Sequence, residues 1–195
     1  MNPTILDFLR HGEPVGGARY RGHSIDDPLS TKGWEQMWSA VAEAGPWQRV
    51  LTSPMLRCRA FAEAYAQAHD LPVEVDKRLR EVGFGAWEGL GGAEILAQDP
   101  DGLSRFYHDP VNNRPDGAED LDAFLGRVGA ALDEALERFR GQAVLVVAHA
   151  GVIRAAVAHV LGAPAGGMYR IQVGNASLTR FRDDGIRPLT LHLGA

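Results

Sequence analysis

A single cysteine, Cys58, is all the thiol this 195-residue chain contains, which excludes an internal disulfide and a cysteine-rich zinc site. It falls inside an expected helix, where a lone thiol is inert. Long apolar runs are missing too: nothing approaches the roughly 20 residues of a membrane-spanning helix, and no basic segment with an apolar core and cleavage site opens the chain. The expectation is a cytoplasmic protein with no membrane partner. Cations are outnumbered, 20 Lys and Arg against 25 Asp and Glu, for a formal net charge of -5. A nucleic acid is therefore not expected as a partner, and any basic site must be local. There is no paired-histidine helix motif and no carboxylate cluster at metal-ligand spacing, so neither a metal nor another cofactor is expected. Repeats, low-complexity tracts and linkers are also absent.

What is present is an ordinary globular composition, 45% apolar and 23% charged, with length for one domain, 1–195, around a real core. Thr4 to Leu9 reads as a strand buried on both faces of a parallel sheet. Lys32 to Ala44 reads as a helix stopped by Gly45 and Pro46. Val50 to Ser53 offers a second strand, and a helix to about Asp70 follows, with Ser53 expected as its N-cap and Pro54 in its first turn. "LPVEVD" gives a third strand, "EVGFGAWEGLGG" a loop, and 95–117, broken by Pro100, Pro110 and Pro115, an irregular cap. Leu121 to Phe139 is helical, "AVLVVAH" is the strongest strand, and "GVIRAAVAHVLG" is helix again. From Tyr169 the tail alternates and turns at "DDG", suggesting two or three closing strands, some antiparallel. The fold expected is α/β, a three-layer α/β/α sandwich on a central, mostly parallel, mixed sheet.

In such sheets ligands bind beyond the carboxyl ends of the strands. The first strand is followed by Arg10, His11, Gly12 and Glu13, the second by Ser53 and Arg57, the third by Arg80 and Glu81, and "AVLVVA" by His149. This set suits a phosphate. Guanidinium groups such as Arg10 and Arg57 bind its oxygens bidentately. A neutral imidazole, His11, is a competent nucleophile if its other nitrogen donates to a backbone carbonyl. Glu81 would supply the leaving group's proton, and His149 a hydrogen bond to the equatorial oxygens. Each residue also has a plainer reading. The histidines could be satisfied by their surroundings, Arg57 could be a helix-surface cation near Glu63, and Glu81 an exposed loop carboxylate. Their convergence on one sheet edge favours the chemical reading.

Four ordered motifs, "LRHGE" at Leu9 to Glu13, "SPMLRCRAFAEA" at Ser53 to Ala64, "LREVGFGAWEG" at Leu79 to Gly89 and "AHAGVIR" at Ala148 to Arg154, resemble those of the histidine phosphatase superfamily, the phosphoglycerate mutase-like fold. The resemblance implies a phosphorylated nucleophile at His11, a phosphate pocket of Arg10, Arg57 and His149, and a proton donor at Glu81. It also implies that residues 21–33 line the pocket, adding Arg21, Gly22 and Ala150 as substrate contacts. "FGAWEG" and a short cap resemble the phosphatase branch rather than the mutases, with α-ribazole phosphatases of cobalamin assembly the most similar group. A small phosphorylated metabolite is the implied partner, and a monomer or homodimer the implied state. Segment 99–120 would be the lid, offering Arg114, Asp116 and Glu119. Two departures stand out: Gly17 where the family often has asparagine, and Ala150 in place of the first glycine of "HGG". The alternatives are a mutase, a broad phosphatase, or a non-catalytic phosphate-binding scaffold.

Overall fold

The structure, a computed structural model, describes residues 2–192. Strands β1 (Thr4–Arg10), β2 (Arg49–Thr52), β3 (Val73–Val75), β4 (Ala143–Ala148), β5 (Leu178–Asp183) and β6 (Thr190–His192) form one sheet in the order β3-β2-β4-β1-β5-β6. The pairs β3·β2, β2·β4 and β4·β1 are parallel, while β5 is antiparallel to both β1 and β6. The sheet is thus the mostly parallel, mixed one expected. Because β1, β2 and β4 run the same way, Arg10, Thr52 and Ala148 end side by side.

Strand alternation divides the core between two faces. Val144 and Val146 join Leu6 and Phe8 on one, under α5 (Leu121–Arg138) and α6 (Ala150–Leu161). Leu145 and Val147 join Leu9 and Val50 on the other, under α1 (Thr31–Val41) and α2 (Leu56–Ala68). This is the three-layer arrangement. Asp7, the polar residue inside β1, is buried but fully paired: it accepts from Trp47 Nε1 at 2.7 Å and from Arg180 Nε and Nη2 at 2.7 and 2.8 Å. A buried carboxylate is tolerated only with such partners.

Three expectations need correction. The 95–117 cap is not irregular throughout. It contains α3 (Gly92–Gln98) and α4 (Gly102–His108), separated at Pro100, and only the stretch from Asp109 to Asp120 lacks regular structure. Ser53 is not the N-cap of α2; Met55 is, and the Ser53 hydroxyl bonds instead to His149. Finally, α1 ends at Val41, before the Gly45–Pro46 stop; the tail does form two closing antiparallel strands, after a 3₁₀ segment at Ala165–Arg170. Among the described residues no helix is long and apolar enough to cross a membrane.

Candidate active site

Beyond the strand ends lies a cavity of about 660 Å³ whose floor is Arg10, His11, Arg57, Glu81 and Ala150. Arg10 is the last residue of β1, and its Nη1 is fixed by the Val173 carbonyl at 2.6 Å. Arg57 enters from the first turn of α2. Only 1% exposed, it cannot be a surface cation; it donates to the Ile25 and Gly22 carbonyls at 3.0 and 2.8 Å, while Glu63 pairs with Arg59. The Nε atoms of Arg10 and Arg57 are both buried without a partner. Two guanidiniums with buried spare donors beside one cavity suit an anion.

His11 follows β1 and stands between these cations. Its Nδ1 lies 2.8 Å from the Gly12 carbonyl. A carbonyl can only accept, so Nδ1 carries the proton and Nε2 keeps its lone pair. Burial first, and then the charges of Arg57 and Arg10, against the opposing pull of that carbonyl, push its pKa down to about 3. The imidazole is therefore neutral at any ordinary pH. Glu81 sits in the loop after β3, held by the Val82 N–H on Oε1 at 2.9 Å and the Gly151 N–H on Oε2 at 3.2 Å. The second of these comes from the first turn of α6, so the carboxylate is tied to the same helix that begins beside His149.

His149, the residue preceding α6, is fully buried and does not line the cavity; its ring meets that of His11 edge to face, with centroids 5.2 Å apart. Burial, then Arg57 and His11, lower its pKa well below the usual imidazole range. Gly22 lines the wall. Arg21 does too, but its guanidinium is engaged: Nε binds Asp27 at 2.9 Å and Nη2 binds the Val15 and Gly17 carbonyls at 2.8 Å each. It braces the 15–27 loop. Ala150 opens α6 with ordinary helical backbone, so the family's glycine is not required there. Gly17 has φ of 70° and open space around it, a conformation asparagine also tolerates. Glu13 lines the wall and pairs with Lys32 at 2.8 Å.

The lid residues lie elsewhere. Arg114 and Asp116 border a separate cavity of about 390 Å³, and Glu119 grips Arg127. The cap reaches the active cavity through Leu103 and Tyr107, the latter sharing a 2.7 Å hydrogen bond with Tyr20. Sequence reasoning assigned no role to Tyr20, Phe84, Tyr107, Arg154 or Asn175, all of which line this cavity. Only Arg154 carried a signal: four residues after Ala150, it shares that residue's helix face. Cys58 is buried, with its thiol pKa pushed far up by burial, and is unreactive. Among the described residues, no three His, Cys, Asp or Glu side chains are grouped to hold a metal ion.

A family model described as the histidine phosphatase superfamily (branch 1) matches residues 6–194. A Mycobacterium tuberculosis protein named as bifunctional is 35% identical over 195 residues, which is 97% of this chain and 53% of its own. The chain therefore spans about half the length of the first curated relatives it matches. The adenosylcobalamin/alpha-ribazole phosphatase of Escherichia coli K12 is 29% identical over 172 residues, 86% of this chain and 84% of that one. A mycobacterial glucosyl-3-phosphoglycerate phosphatase, solved with VO3, matches 97% of each chain with a TM-score of 0.86 at 29% identity.

Proposed function

The chain belongs to the histidine phosphatase superfamily, and from that premise we propose that it hydrolyses small phosphomonoesters through a phosphohistidine on His11. The observation that carries this reading is the 2.8 Å contact from His11 Nδ1 to the Gly12 carbonyl, which leaves Nε2 unprotonated beside Arg10 and Arg57. In the first step Nε2 attacks phosphorus and the P–O bond to the alcohol breaks. Glu81, in its acid form, gives the departing oxygen its proton. The charge spread over the equatorial oxygens is met by Arg10, Arg57 and His149. In the second step Glu81, now a carboxylate, takes a proton from water, which attacks phosphorus and releases inorganic phosphate and free His11.

For the natural ester we propose α-ribazole 5'-phosphate. Two things support it: the E. coli relative named for that substrate, and an outer wall of Tyr20, Phe84, Leu103 and Tyr107 against which a flat aromatic base would pack. His11→Ala assayed with a generic aryl phosphate tests the catalytic claim: hydrolysis should vanish, and unchanged hydrolysis would refute it. A panel of phosphomonoesters tests the substrate, with α-ribazole 5'-phosphate expected to give the highest kcat/KM. Phosphoglycerate isomerisation, assayed with a bisphosphate primer, should be negligible.

A further inference from the structure

The two histidines of the site are oriented by different partners, and the partner of His149 is a residue with no role in the scheme above. Ser53 is fully buried, and its Oγ lies 2.7 Å from His149 Nε2. We propose that Ser53 is a positioning residue that fixes the tautomer of His149, holding the proton on Nδ1 as a hydrogen-bond donor to the transferring phosphoryl group.

The assignment follows from counting donors and acceptors. The hydroxyl has one proton and two lone pairs. One lone pair takes the Met55 N–H at 3.3 Å, and the remaining partners of Oγ are His149 Nε2 at 2.7 Å and the thiol of Cys58, a much weaker one. Were Nε2 also a donor, the hydroxyl would receive two hydrogen bonds and its own buried proton would have only the weakly accepting Cys58 sulfur. The short 2.7 Å bond is matched to a strong acceptor when Ser53 donates to Nε2. The neighbouring thiol competes weakly: Cys58 Sγ gives its proton to the Ala148 carbonyl at 3.3 Å and lies 3.5 Å from Nε2, but sulfur is a poor acceptor. A neutral imidazole whose Nε2 accepts must carry its proton on Nδ1. The nearest protein atom to receive that proton is Cys58 Sγ at 3.8 Å, a weak acceptor. The Nδ1–H is thus poorly matched on a ring that packs against His11, and a phosphoryl oxygen carried by His11 would give it a strong acceptor. The opposite tautomer would turn a lone pair toward the same oxygens and repel them. This also explains why Ser53 does not cap α2: its hydroxyl is committed to the histidine.

The catalytic consequence rests on the phosphatase reading, whereas the tautomer does not, so the two are tested by separate measurements. Long-range 1H–15N spectra of the intact protein, with His149 assigned by comparison with His149→Gln, should show Nδ1 protonated and Nε2 unprotonated. Inorganic phosphate should shift the Nδ1 proton. Ser53→Ala should populate the other tautomer and lower kcat for an aryl phosphate by about 10- to 100-fold, with a smaller change in KM. Ser53→Thr, which keeps the hydroxyl, should recover most of both signals. A wild-type spectrum with Nε2 protonated overturns the proposal even if Ser53→Ala fails to fold. So does a folded Ser53→Ala protein with unaltered kcat, or a folded Ser53→Thr protein as slow as Ser53→Ala. A wild-type protein with no phosphatase activity but the stated tautomer would instead refute the functional reading.

Discussion

His11 and His149 are buried side by side as neutral imidazoles, and that arrangement makes the protein sensitive to acid. The folded pKa of His11 is about 3, against about 6.5 unfolded. Between those values the unfolded chain binds a proton that the native chain does not, so stability rises with pH across this window. The depressed pKa of His149 acts in the same direction. Above pH 6.5 both states are neutral and the effect vanishes. As pH falls toward 3, a loss of several kcal/mol is expected, visible as a falling urea midpoint. His11→Asn, which removes one of the two groups, should flatten that slope. A second residue-scale prediction concerns Gly151. A β-carbon there would collide with Glu81 Oε1, the flexible end of a side chain rather than backbone. Gly151→Ala should therefore displace the proton donor, lowering kcat by about 100-fold or more while barely changing Tm. If kcat is untouched, Glu81 is not the acid.

At the scale of elements, Glu81 lies in a loop outside the strands, its carboxylate tied to α6 and its backbone held by α5. Arg127 grips Glu119 through Nε and Nη2 at 2.7 and 2.8 Å, and donates to the carbonyls of Arg78, Arg80 and Glu81. Both partners of this pair are only 15% exposed. Arg127→Gln takes from Glu119 its closest cation and should destabilise the fold by about 2–3 kcal/mol, read as a shifted denaturant midpoint at constant m. Activity should fall as well, because Glu81 loses its backbone anchor. Arg127 was invisible in the sequence: its spacing in α5 says helix, and its partners lie 8 to 49 residues away. Ser53 was misread for a related reason. "SP" before a helical run is a sound capping signal, but a competing acceptor 96 residues downstream takes the hydroxyl. The cap helices were missed because each is only seven residues long, beside a proline that mimics irregular chain.

For the whole molecule, the parts legible in the sequence are those set by local pattern. Alternating apolar strands and helices declare the layered sheet, and residues directly after strands must meet at one sheet edge whatever the loops do. His11, Arg10, Arg57 and Glu81 could be placed for that reason. The outer wall is built by long-range packing, such as Tyr20 against Tyr107 across 87 residues, and no local pattern encodes it. Chelators should leave the activity intact, since the proposed chemistry uses only side chains. The most direct test of the central claim is rapid quenching with phosphate-labelled substrate. The expected product is an acid-labile, base-stable phosphoenzyme whose label maps to the His11 peptide and is absent from His11→Ala. Label on a serine or aspartate ester, or turnover by His11→Ala, would contradict it.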